Sequence, residues 1–76
     1  MELSRKDFVV IEEYNFMGQQ RFRVQVRGTN IVFNVEAGSR EEAVDKAIAL
    51  ASRVGLTKEV ADTIRERVKA FSKERQ

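Results

Sequence analysis

RFRVQVRGTNIVFNV, residues 21–35, alternates apolar and polar side chains on both sides of a glycine. Side chains of a β-strand point to opposite faces in turn, so such alternation marks a half-buried strand. Two of these runs around a short glycine turn read as a hairpin. One face collects Phe22, Val24, Val26, Ile31, Phe33 and Val35; the other collects Arg21, Arg23, Gln25, Arg27, Asn30 and Asn34. With Gly28 and Thr29 as a type II′ turn, Arg27 faces Asn30, Val26 faces Ile31, Val24 faces Phe33 and Phe22 faces Val35. Arg23 then pairs with Asn34, and Arg21 with Glu36. This register keeps the two sets on separate faces, whereas a slip of one residue would mix them.

Upstream, DFVVIEEYNFM (7–17) reads as a strand from Phe8 to about Asn15, followed by a turn with Gly18 at positive φ. Its FVVI segment is apolar on both faces. One register puts Phe8, Val10, Tyr14 and Phe16 outward; the other puts Val9, Ile11 and Met17 outward. Either way, large apolar side chains are expected beside the arginine row.

Downstream the period changes to that of a helix. Ser39 and Glu42 have capping-box spacing, and Val44, Ala47, Ile48, Ala51 and Val54 form one stripe. Gly55 is a left-handed stop, with Leu56 placed to fold back on the last turn. Thr57 caps a second helix, Lys58 to about Lys73, with the stripe Val60, Ala61, Ile64, Val68 and Phe71; the closing KERQ is expected to fray. The expectation is an α+β fold: a three-stranded antiparallel meander with two C-terminal helices packed on one face, residues 1–76 forming one small domain.

Composition narrows the chemistry. The 76 residues include no Cys, His, Pro or Trp, and the net charge is +2. Disulfides and thiolate metal sites are excluded, as are the commonest general base and metal ligand. Neither a metal, a cofactor nor a small-molecule substrate is expected, and the chain does not read as an enzyme. The acid pairs Glu12–Glu13 and Glu41–Glu42 are explained as surface and helix-start carboxylates. No apolar run has membrane-span length, and MELSRKDF has no signal-peptide core, so a soluble cytoplasmic protein is expected. Charged residues make up 34 %, which would suit a thermostable or idealised chain.

The outer sheet face is the candidate site: Arg21, Arg23, Gln25, Arg27, Asn30 and Asn34. Arginine reads guanine edges or grips phosphate, Asn and Gln read adenine, and a sheet can enter a major groove. Nearby aromatics could instead stack single-stranded bases. The leading expectation is a small nucleic-acid-binding module. One alternative is a protein-interaction or self-associating homodimer module with its patch on strand one; another is an idealised scaffold with no evolved activity. A solvated face, with Arg21 on Glu36 and Arg23 on Glu12 or Glu13, is the bland counterpart to all three.

ALASRVGLTKEVADTI (49–64) has the small residue, turn glycine and apolar spacing of a helix-turn-helix, features that any tight helical hairpin shares. The three strands followed by GSREEAVDKA resemble the last two-thirds of a double-stranded-RNA-binding domain, over about residues 8–51. That resemblance implies phosphate contacts at the helix start. Here Arg40–Glu41 and Val44 stand in place of the family's basic residues, so the gripping chemistry does not carry over. The order of sheet and helix is also similar to the arm-binding domains of phage-type integrases, which present the sheet to DNA.

Overall fold

The computed structural model describes residues 2–74, with side chains described for 2–70. Strands β1 (Phe8–Phe16), β2 (Gln19–Val26) and β3 (Val32–Glu36) form an antiparallel sheet in the order β1-β2-β3. Helices α1 (Arg40–Arg53) and α2 (Lys58–Glu74) follow and pack against it, giving the expected α+β fold.

Between β2 and β3 the expected register is present. Arg21 lies opposite Glu36, Phe22 opposite Val35, Arg23 opposite Asn34 and Val24 opposite Phe33. The turn is different. Thr29 N donates to Val26 O at 3.1 Å, and Gly28 takes φ +75° as the third of these four residues. That is type II geometry, not type II′. Val26 N donates to Ile31 O at 3.0 Å and closes a four-residue loop, so Arg27 and Asn30 lie in the loop and not in the ladder. Thr29 holds the wider loop: its buried hydroxyl donates to Val26 O at 2.8 Å and accepts from Ile31 N at 3.0 Å. Widening the turn by one residue on each side leaves the register untouched.

The β1–β2 connection is a two-residue turn with Met17 at φ 52° and Gly18 at φ 81°, both left-handed as type I′ demands. Neither parity expected for β1 runs its whole length. The register shifts between Val10 and Glu12, a β-bulge at Ile11. Before it, Phe8 and Val10 lie opposite Val26 and Val24 on the core side. Beyond it, Glu13 lies opposite the fully buried Phe22 and reaches Arg40 at the start of α1, with Nε donating to Oε2 at 2.6 Å.

α1 begins at Ser39, whose hydroxyl accepts from Glu42 N at 3.2 Å; the Glu42 carboxylate accepts from Gly38 N at 2.6 Å, one residue earlier than a strict capping box. It ends in a Schellman motif: Leu56 N donates to Ala51 O at 2.8 Å and Gly55 N to Ser52 O at 3.1 Å, with Gly55 at φ +78°. Leu56 is buried against the core as expected. The buried stripe is Ala43, Ala47 and Ala51, four residues apart, with Val44 and Ile48 to one side. Val54, expected in the stripe, is 69 % exposed. Methyl side chains let the helix axis approach the sheet, which draws the alanine row inward and leaves the larger residues on its flanks.

Thr57 caps α2, its hydroxyl accepting from Val60 N at 3.2 Å. Ala61 is fully buried and Ile64 and Val68 are half-buried, but Val60 faces solvent. The Phe71 side chain, also expected in the stripe, lies outside the described residues. α2 continues through Glu74, so of the closing KERQ only Arg75 and Gln76 fall outside the description.

A polar knot fastens α2 to the sheet. Asp7 ends a single 3-10 turn (Arg5–Asp7) and is nearly buried. Its carboxylate accepts from Ser4 N at 2.8 Å and from Arg65 Nη2 at 3.3 Å. Arg65 Nε donates to Arg27 O at 2.6 Å, and Arg27 N donates to Asp7 O at 2.8 Å. The β2–β3 turn, the 3-10 turn and α2 therefore share one cluster.

Candidate interaction face on the outer sheet

Pairing fixes which side chains share the face turned away from the helices. Across the three strands it runs in rows: Val9–Gln25–Val32, then Glu12–Arg23–Asn34, then Tyr14–Arg21–Glu36, ending at Phe16–Gln19. The bulge adds Ile11, since both bulge residues sit opposite Arg23 and share its side of the sheet.

Arg21, Arg23, Gln25 and Asn34 do share this face, but they are engaged with their neighbours. Arg23 Nε forms an ion pair with Glu12 Oε1 at 3.0 Å, and its guanidinium carbon stands 5.9 Å from the centroid of the Tyr14 ring. Arg21 Nε donates to Asn34 Oδ1 at 3.0 Å rather than to Glu36, and Asn34 Nδ2 donates to the Tyr14 hydroxyl at 2.5 Å. The hydrogen bond from Asn34 holds the Tyr14 phenol below its ordinary value of 10.0 against the opposing effect of desolvation, and Arg21 and Arg23 add to it. Gln25 turns back along the sheet, its Nε2 donating to Thr29 O at 2.6 Å.

Arg27 and Asn30 stand apart. Arg27 is at the end of the sheet, where its Nε donates to Lys6 O at 2.9 Å. Asn30 is exposed on the loop. The expected row of three arginines is thus a pair of arginines plus a loop residue belonging to the Asp7 knot.

Charge on the face balances, with Arg21 and Arg23 against Glu12 and Glu36. Beside these charges the face exposes large apolar side chains: Phe16 is 56 % exposed, Ile11 50 % and Val32 41 %, with the half-buried Tyr14 ring among them. The expectation of apolar surface beside the arginines therefore holds, although its members come from both parities of β1. Val32 and Glu12 were not among the expected site residues. Val32 was visible as the one apolar residue at a polar position of the 21–35 pattern; placing Glu12 opposite Arg23 requires the bulge.

Among the described residues no group of three or more acidic side chains is placed to hold a metal ion, and no helix is long and apolar enough to cross a membrane. The chain matches no protein-family model, no curated protein and no solved structure.

Proposed function

We propose that this chain is a self-associating protein-interaction module whose contact surface is the outer face of its sheet. The observation that carries this reading is the cluster Ile11, Tyr14, Phe16 and Val32 on a face whose arginines already have acidic or amide partners. Charge balance favours a second copy over a polyanion. A polyanion gains affinity when protein cations displace its counterions, and acids standing beside those cations oppose it; this face has two of each sign. A twofold contact needs a self-complementary patch, and neighbouring acids and bases can interleave across one. Extra association also suits a small chain, whose lone core supplies only about 3–5 kcal/mol.

Strand spacing and rise make the face about 30 Å by 14 Å in plan. That is small beside the about 800 Å² per partner of a standard interface, so the dimer is expected to be weak, micromolar or above. Sedimentation velocity from about 5 to 500 μM tests it. The sedimentation coefficient is expected to rise with concentration, and Ile11→Asp to hold the chain monomeric. A concentration-independent monomer rejects the reading.

One contact favours the leading expectation from the sequence, a nucleic-acid-binding face: Arg23 lies over Tyr14 with exposed Phe16 nearby, the elements of a base-stacking platform. A salt titration with duplex DNA, duplex RNA and single strands decides it. Binding at low salt that disappears in Arg21→Ala plus Arg23→Ala, the two arginines that share the face, would transfer the face to nucleic acid.

A further inference from the structure

β3 leaves one edge of the sheet open. The bonds Val26 N to Ile31 O and Ala37 N to Gln20 O fix its hydrogen-bonding parity. Residues 33 and 35 turn their backbone groups toward β2, so Val32, Asn34 and Glu36 turn theirs outward. Beside this edge, between β3 and α1, lies a cleft of about 320 Å³. Val35, Ala49 and Leu50 give it apolar walls, and Lys46 and Arg53 stand at its rim. Lys46 Nζ donates to Glu36 O at 2.6 Å and closes one end of the edge. Arg53 is exposed, and its side chain makes no ion pair or hydrogen bond among the described residues.

We propose that this cleft receives an extended, acidic segment of a partner protein, added to β3 as a fourth strand. The outward N–H and C=O groups of Val32 and Asn34 are a ready template for another strand. A volume of about 320 Å³ is at the small end of ligand sites and fits one or two apolar side chains over Ala49 and Leu50. Residues of one parity share the cleft side, so an acidic residue two positions from an apolar one meets the unpartnered Arg53. A second copy is the wrong occupant. Antiparallel pairing of two β3 edges about a twofold keeps both α1 helices on the same side of the joined sheet, and brings Lys46 and Arg53 of each copy toward the other pair. Val32 belongs to both surfaces, by its side chain on the outer face and by its backbone at the edge, and Ile11→Asp, which disrupts only the proposed dimer, separates the two proposals.

Three capped six-residue peptides test it against the isotope-labelled full chain, each alternating threonine on the outer face with two valines and one charged residue on the cleft face: a valine–glutamate peptide with Glu as the charged residue, a lysine peptide with Lys in its place, and the valine–glutamate peptide N-methylated at alternate amides. The valine–glutamate peptide is expected to shift the Val32 and Asn34 amide resonances and slow their hydrogen exchange. The lysine peptide is expected to bind at least about tenfold more weakly. The N-methylated peptide, which cannot complete the ladder, should fail to bind. Arg53→Glu, at an exposed position, should invert the charge preference. Equal affinity for the two charged peptides, or undiminished binding of the N-methylated one, overturns the proposal. So does exchange protection at Val32 and Asn34 that grows with protein concentration in the Ile11→Asp chain, which would give the edge to a second copy.

Discussion

Replacing Asp7 with alanine removes the centre of the knot that joins α2 to the sheet. Four contacts go together: Ser4 N at 2.8 Å, Ser4 Oγ at 3.3 Å, Arg65 Nη2 at 3.3 Å and Lys58 Nζ at 3.8 Å. The cap on the 3-10 turn is worth about 1 kcal/mol. The charge-assisted bond from Arg65 adds about 1.5–3 kcal/mol, because both partners are shielded from water. A loss of about 2.5–4 kcal/mol is set against a net stability of about 3–5 kcal/mol for a chain of this size. Asp7→Ala is therefore expected to be partly unfolded at 25 °C, and Asp7→Asn, which keeps an acceptor for Ser4 N, to lose about half as much.

The same carboxylate makes stability depend on pH. The hydrogen bond from Ser4 N, then the charges of Lys58 and Arg65, hold Asp7 below its ordinary value of 3.8 against the opposing effect of burial. A depressed carboxyl stabilises the fold fully above the unfolded value, so this contribution is present above 3.8 and is lost as pH falls below it. Urea unfolding followed by far-UV circular dichroism, from pH 7 down to pH 2.5, reads both effects. The wild type should lose stability through the acid range, and Asp7→Asn should lose less over the same interval. An Asp7→Ala chain within about 0.5 kcal/mol of wild type at pH 7, the usual scatter of an inconsequential surface change, would refute the knot as a structural element.

Three further outcomes follow from particular residues. Met17 holds a left-handed φ of 52° with its side chain exposed, so Met17→Asn, which suits a type I′ turn, should stabilise by about 0.5–1 kcal/mol in the same urea assay; no gain would mean that the turn is not strained. Tyr14 is the lone tyrosine, so its absorbance at high pH titrates it alone; Asn34→Ala should move the phenol midpoint upward, and an unmoved midpoint would show that the Asn34 bond is absent in solution. Gly28 and Gly55 both have positive φ, but a Cβ on Gly28 would stand 3.1 Å from Arg65 Cγ while one on Gly55 meets open space. Gly28→Ala should therefore destabilise more than Gly55→Ala, whose loss is the backbone term of about 1–2 kcal/mol; the reverse order would place Arg65 away from the turn.

Most of the fold was legible because its signals are local. The 21–35 alternation specifies its own partner strand, and Ser39, Gly55 and Thr57 mark helix ends through bonds between residues three to five positions apart. The misses have a common origin in long-range packing. The type II turn depends on Thr29 being buried, and on Arg27 meeting both Asp7 and Arg65. The alanine stripe of α1 depends on how near the sheet allows the helix to come. None of these distances is encoded in a window of neighbouring residues.

The site was less legible than the fold because it depends on the bulge. Two requirements meet in β1. Phe8 and Val10 must face the core, which pairs them with Val26 and Val24; the tight turn at Met17–Gly18 sets Phe16 opposite Gln19. These registers differ by one residue, and Ile11 absorbs the difference. Extending the first register without the bulge would put Tyr14 opposite Gln20 on the core side, with Phe16 on that side as well. With it, Tyr14 lies opposite Arg21, and Glu12 opposite Arg23. One inserted residue thus neutralises an arginine and turns two aromatics out of the helix-covered side of the sheet. Burial alone favours the opposite arrangement, since exposing those rings gives up apolar contact in a core with few large residues. The bulge makes physical sense if those rings are covered by something else, as the proposed dimer would cover them.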